Sequence, residues 1–144
     1  MTALVLTRDD LADTVATYTE RDAFAFDVET KGAVRLDPRR NEVFWIALAS
    51  RGLTHVIPFG HPNGRQIGEA KEPRMCADGK IRRYTVPVFG PPPRQLSPAE
   101  VFTALEPLLF SDRLKVGHQL KFDVNSVVKY YDGRLVPGLS LIHI

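Results

Sequence analysis

A single cysteine, Cys76, stands in a chain of 144 residues, so no internal disulfide can form and no cage of cysteines can hold zinc. That scarcity suits a reducing compartment, and the expectation is a cytoplasmic protein in which Cys76 is a bystander. Long apolar runs are missing too. None approaches the roughly 20 residues a membrane helix needs, and the first eight residues hold too short an apolar stretch for a secretion signal. Neither sign of charge dominates: 19 basic against 17 acidic residues leave a net +2. No global field announces a polyanionic partner, and any such binding has to be local. What remains, 44% hydrophobic and 25% charged, is ordinary for one soluble domain with a real core.

Against that plain background one stretch stands out: Phe24-Ala25-Phe26-Asp27-Val28-Glu29-Thr30. Its density of apolar side chains predicts a strand buried in a sheet. Strand side chains alternate faces, so Asp27 and Glu29 point one way while Phe24, Phe26 and Val28 fill the other. Two adjacent acids repel, and burying them unpaired costs several kcal/mol. A hard divalent cation bound by carboxylate oxygens is one solution. An edge strand with both acids in water or paired to arginines is the other.

The rest of the chain reads as α/β. Thr7 followed by Asp9 and Asp10 is a helix start, and Leu11, Val15 and Tyr18 recur at helical spacing up to about Arg21. After the acidic strand, Leu36 to Asn41 carries turn chemistry. Strands are predicted over 43–50 and 54–59, joined by Arg51-Gly52 as an antiparallel hairpin. Ser97-Pro98-Ala99-Glu100 opens a second helix with the apolar stripe Val101, Leu105, Leu108 and Leu109, and Pro107 should kink or shorten its last turn. A short strand over 114–118 and a helix from about 120 to 131, stopped by Asp132-Gly133, complete the order. The last strand can pair in parallel beside the acidic one across the second helix. Between Gly60 and Arg94 no period is sustained, six prolines fall, and seven basic residues face three acids. That predicts a long basic loop, either a flap meeting a phosphate backbone or a solvated insertion without a partner.

A third acid, Asp123, lies in Val116-Gly117-His118-Gln119-Leu120-Lys121-Phe122-Asp123, after a strand and at a helix start, where α/β proteins gather ligands. An aspartate in a first turn is also ordinary helix electrostatics. Taken together, the two stretches resemble the first two motifs of the DEDD 3′–5′ exonucleases. The first matches an Asp-x-Glu at the end of the first strand. The second is similar to the Gly-x-Asn-x-Lys-Tyr-Asp of proofreading domains in family A DNA polymerases of bacteria and their phages.

The resemblance covers about residues 22–131. It implies a ribonuclease-H-like (DnaQ-like exonuclease) mixed sheet flanked by helices, and two-metal hydrolysis of phosphodiesters from a 3′ end. Two divalent cations, Mg²⁺ or Mn²⁺, would be held by Asp27, Glu29 and Asp123, the catalytic set. Thr30, Gln119 and Lys121 would contact substrate. The implied partners are the single-stranded 3′ end of DNA and a polymerase domain in a longer chain, with no membrane.

Two departures accompany it. Gln119 stands where the family has asparagine, and Phe122 where it has tyrosine. The third motif, Tyr-x-x-x-Asp or its histidine version, is missing: Tyr130 is followed four residues on by Arg134, and Tyr131 by Leu135. The end of the chain is similar to a translated sequencing-adapter read-through. The expectation is therefore a partial exonuclease domain over 1–137, with the basic insertion at about 60–95, and a non-native tail over 138–144. Such a fragment should be nearly inactive alone. Other readings are a degenerate module that keeps the fold without the chemistry, and an RNA-processing exonuclease of the same superfamily. Phe44, Trp45 and Phe59 are expected in the core rather than as base-stacking platforms; His55 and His61 have no partner at metal spacing, and His118, beside the second motif, is expected at most to support the site from behind.

Overall fold

Thr7 starts the first helix, α1 (Arg8–Thr19), as its hydroxyl accepts from the Asp10 amide while the Asp10 carboxylate accepts from the Thr7 amide. Leu11 and Tyr18 are buried as their spacing predicts, and Val15 only partly. The Tyr18 hydroxyl donates to the Leu48 carbonyl at 2.7 Å and lies 3.2 Å from His55 Nδ1, which gives that histidine a structural partner. Ser97 caps α2 (Pro98–Leu109) by the same reciprocal device with Glu100. Arg8 then ties the two helix starts together at 2.7 Å from Glu100. Pro107 does not shorten α2, which runs on to Leu109. The carbonyl its ring crowds belongs to Thr103 on the exposed side, where it can turn to water.

The computed structural model describes residues 1–32 and 37–141. Eight strands occur among them: β1 (Thr2–Leu4), β2 (Ala23–Lys31), β3 (Glu42–Ser50), β4 (Leu53–Pro58), β5 (Gln66–Met75), β6 (Ile81–Phe89), β7 (Leu114–Gly117) and β8 (Leu139–Leu141). A third helix, α3 (Leu120–Val127), continues into a 3₁₀ turn over Val128–Tyr131. Asp132 and Gly133, both at positive φ, end it. Six strands form one mixed sheet in the order β1-β4-β3-β2-β7-β8. β2, β3 and β4 are an antiparallel meander, and β7 lies parallel beside β2, as the crossover through α2 requires.

Two strands of this sheet were not expected. β1 is too short to carry a period and is held by its pairing beside β4, with Thr54 donating to the Met1 carbonyl at 2.9 Å. β8 falls within the stretch read as a non-native tail, yet 139–141 pair in parallel with β7. Residues 142–144 of that tail, including His143, lie outside the described residues, as does Leu36 of the predicted turn. The described part of that turn closes with Asp37 accepting from the Arg40 and Asn41 amides.

One face of the sheet carries the core. Phe24, Phe26 and Val28 of β2, Ile46 and Leu48 of β3 and Ile57 of β4 join Leu105, Leu109, Val124 and Val127 of the helices in one buried cluster. Lys115 is buried beside them, its ammonium donating to the Ser111 carbonyl at 2.5 Å, and burial lowers its pKa. The opposite face of β2 presents Ala25, Asp27 and Glu29, all exposed.

Residues 61–94 form a separate unit. The expectation of an irregular loop is corrected here: β5 and β6 make an antiparallel hairpin from Gln66 to Phe89. Its turn is closed by Cys76 accepting from Gly79 and donating to Lys80, both at 2.9 Å, with Gly79 at φ +75°. Every residue of β5 is exposed, and every residue of β6 except half-buried Val86. A ribbon with no face in a core leaves no apolar alternation in its sequence, which is why periodicity failed. The Asp78-Gly79 turn was the one local signal.

Candidate functional site

β2 pairs with β7 only as far as Ala25, opposite Val116, but continues beside β3 to Lys31. From Phe26 onward one edge of β2 is therefore released from its parallel neighbour. Gly117 permits the close passage at this fork, since a Cβ there would lie 2.8 Å from the Phe26 carbonyl oxygen. The chain then turns through Gln119, whose φ of 54° is left-handed, and α3 begins. α3 packs on β2, so its first turn meets the freed part of the strand.

Asp123 arrives there buried, 4% exposed. The Val28 backbone amide hydrogen-bonds its carboxylate, while Oδ2 has no hydrogen-bond partner. Asp27 and Glu29, the residues on either side of Val28, both raise its pKa by their charge. Burial contributes most, Asp27 next, and the Val28 hydrogen bond pulls the other way; together they push the Asp123 carboxyl up to about 7. Asp27 is shifted upward as well, by the protein around its carboxyl, with His118 opposing. Its side chain as a whole remains exposed. The three acids singled out in the sequence, 94 residues apart between Glu29 and Asp123, thus share one electrostatic neighbourhood.

A register shift follows. Glu29 pairs with Trp45 but Thr30 with Val43, leaving Phe44 as an extra residue on β3. Thr30 is half-buried just past this bulge. Trp45 lies directly across from Glu29 on the carboxylate face and is half-buried, as is Phe44. Phe59 alone of the three aromatics is fully in the core, edge-on to Phe102 at 5.3 Å. The neighbourhood of Trp45 and Glu29 depends on cross-strand register, which short-range sequence patterns do not carry. His118 is exposed, and its charge reaches Asp27. Gln119 and Lys121 are also exposed, and the Gln119 side chain makes no capping hydrogen bond to α3.

Among the described residues no three His, Cys, Asp or Glu side chains close into a set that could hold a metal ion as they stand. The donor chemistry nonetheless fits a hard cation. Carboxylate oxygens are the ligands that Mg²⁺ and Mn²⁺ take, and a buried, unpartnered Oδ2 beside two further acids is the kind of group a cation satisfies.

No protein-family model and no curated protein sequence matches the chain. Solved structures do. RNase D of Trypanosoma brucei in complex with RNA U12 superposes with a TM-score of 0.61 at 11% identity, covering 96% of this chain and 36% of its own. Escherichia coli RNase D, described as an exoribonuclease involved in structured RNA processing, gives 0.57 at 14%, covering 96% and 26%. The EXO domain of Aedes aegypti Nibbler gives 0.54 at 18%, covering 92% and 45%. The chain therefore spans less than half the length of each. The likeness establishes the fold: a ribonuclease-H-like mixed sheet flanked by helices, shared with these nuclease structures.

Proposed function

We propose that this chain carries the carboxylate centre of a 3′–5′ exonuclease acting on single-stranded nucleic acid. One observation supports it above the others: Asp123 brings a buried, unpartnered carboxylate oxygen to the freed edge of the strand that presents Asp27 and Glu29. A fold with no use for a cation has little reason to keep three mutually repelling acids together. In this reading Asp27 would hold both ions, Glu29 would hold one and orient the attacking water, and Asp123 would anchor the other. When bound, such a pair of cations supplies charge neutralisation at the phosphate and an activated water. The chain's own part is to fix the carboxylates on rigid elements, with the Val28 amide orienting Asp123 and His118 available to moderate the charge of Asp27. Thr30, Gln119 and Lys121 are proposed substrate contacts.

RNA is the substrate that the solved structures favour, since one holds RNA U12 and another is described as an exoribonuclease. A DNA-proofreading role within a polymerase is the second reading, carried by the form of the Gly117–Asp123 motif. The fourth acid of the DEDD pattern is not in this sequence, so shortening of a 5′-labelled strand by the isolated chain should be slow or undetectable.

The deciding measurement is metal binding. Trp45 is the sole tryptophan and sits opposite Glu29, so its fluorescence reports on the site during a Mn²⁺ titration. Saturable quenching is expected, lost in Asp27→Ala and in Asp123→Asn. Quenching that never saturates, or that both variants retain, would overturn the proposal. Matched RNA and DNA strands then rank the two substrate readings by any shortening that Asp27→Ala abolishes.

A further inference from the structure

We infer that the hairpin of residues 61–94 is a nucleic-acid-binding arm, gripping the phosphates of a single strand with one face of the ribbon. This deepens the proposed function by assigning a second contact for the same class of substrate, and it rests on that class being right.

The first observation is that the ribbon stays out of any core by construction. All its strand residues but one are exposed, and its two open edges are blocked. The Cys76–Lys80 pair is hydrogen-bonded, so alternation along the ladder makes Pro73–Arg83 and Glu69–Pro87 non-hydrogen-bonded pairs, whose backbone nitrogens point outward. Pro73 removes the donor from the outer edge of β5, and Pro87 from that of β6. Strand addition is thereby discouraged on both sides, leaving the two faces as the surfaces available to a partner.

The second observation is how charge divides between those faces. The unit carries seven basic residues against three acids, and two of the acids are already engaged: Glu72 with Arg74 at 3.7 Å and Asp78 with Arg82 at 2.7 Å. Arg74 and Arg82 lie opposite each other on one face. The other face presents Lys71 and Arg83, which are diagonal neighbours, with Glu69 two residues before Lys71; neither cation forms an ion pair among the described residues. Phe89 shares that face and is 42% exposed. Two cations followed along one face by an exposed ring suit a single strand, phosphates meeting the charges and a base meeting the ring. An acidic protein segment would use the charges and have no need of the ring.

The test is binding of a fluorescent single strand, in RNA and DNA versions, to the whole chain in EDTA, measured by anisotropy across a salt series. Without metal, the Asp27–Glu29–Asp123 centre repels phosphate, so binding reports on the arm. Affinity should fall with salt, and the double variant Lys71→Gln/Arg83→Gln should bind more weakly with a log–log salt slope reduced by about 1.4, two phosphate contacts' worth. Phe89→Ala should weaken binding without changing the slope. The ribbon can also be excised at its base, where Gly90 donates to the Arg65 carbonyl at 2.9 Å, by replacing residues 66–89 with a short Gly-Ser link. Circular dichroism and cooperative melting then verify that the remainder is folded. An unchanged slope in the double variant, undiminished binding after excision, or equal affinity for polyglutamate of the same charge would each overturn the inference. Retained binding by a chain that fails the Mn²⁺ titration would sink the carboxylate centre and spare the arm.

Discussion

Asp123, in the role proposed for it, would serve a site at the expense of the fold. Its pKa is raised from 3.8 to about 7, above the value it regains on unfolding. Below about pH 4 the group is protonated in both states and the native state carries no penalty. As pH climbs from about 4 towards 7 the unfolded chain releases the proton that the folded chain still holds, and stability falls until both states are ionised above about 7. The metal-free protein should therefore resist urea better at pH 5 than at pH 8, by a few kcal/mol at most. Asp123→Asn should flatten that dependence, and saturating Mn²⁺ should reverse it in the parent chain only. A parent chain equally stable at both pH values in EDTA would show that Asp123 is not buried as a charge. Gln119 poses a smaller problem of the same kind. Its φ of 54° is a conformation that asparagine visits far more readily than glutamine. Gln119→Asn should stabilise the chain by about 0.5 kcal/mol, visible as a higher urea midpoint with an unchanged slope. The departure from the exonuclease motif at this position thus has a backbone cost, independent of any substrate contact.

At the scale of elements, the fork between β2 and β7 does the positioning. Gly117 lets the strands touch before they part, because a Cβ there would meet the Phe26 carbonyl at 2.8 Å. Gly117→Ala should cost about 1–3 kcal/mol as the backbones shift apart, and it should weaken Mn²⁺ binding by carrying α3 and Asp123 away from β2. A variant that lost stability but bound Mn²⁺ normally would separate the fork from the site. Sequence made most of this legible wherever an element had an inside and an outside. The apolar stripes of α1 and α2, their Ser/Thr caps and the alternation in β2 located each of them and gave the facing of Asp27 and Glu29. Proximity of Asp123 was implied by motif resemblance, and the pairing of Trp45 with Glu29 by nothing local, since both depend on register and crossover. β1 escaped because three residues hold no period and its strand exists only through β4.

For the molecule as a whole, the division of labour follows from where burial lies. Every buried hydrophobic residue among those described belongs to residues 1–60 or 95–144, and none to the ribbon of residues 61–94. A two-stranded hairpin without a covered face is marginal in isolation, so it draws little from the hydrophobic effect and offers little back. Replacing residues 66–89 with a Gly-Ser link should therefore leave the stability of the rest within about 1 kcal/mol, the shorter connection reducing closure entropy only slightly. Urea unfolding followed by the fluorescence of Trp45, which lies in the retained sheet, measures this directly. A large drop in the midpoint would mean that the ribbon supports the sheet. An unchanged midpoint, together with lost strand binding, would fit a chain in which one part is kept for folding and the carboxylates, and the other for reach.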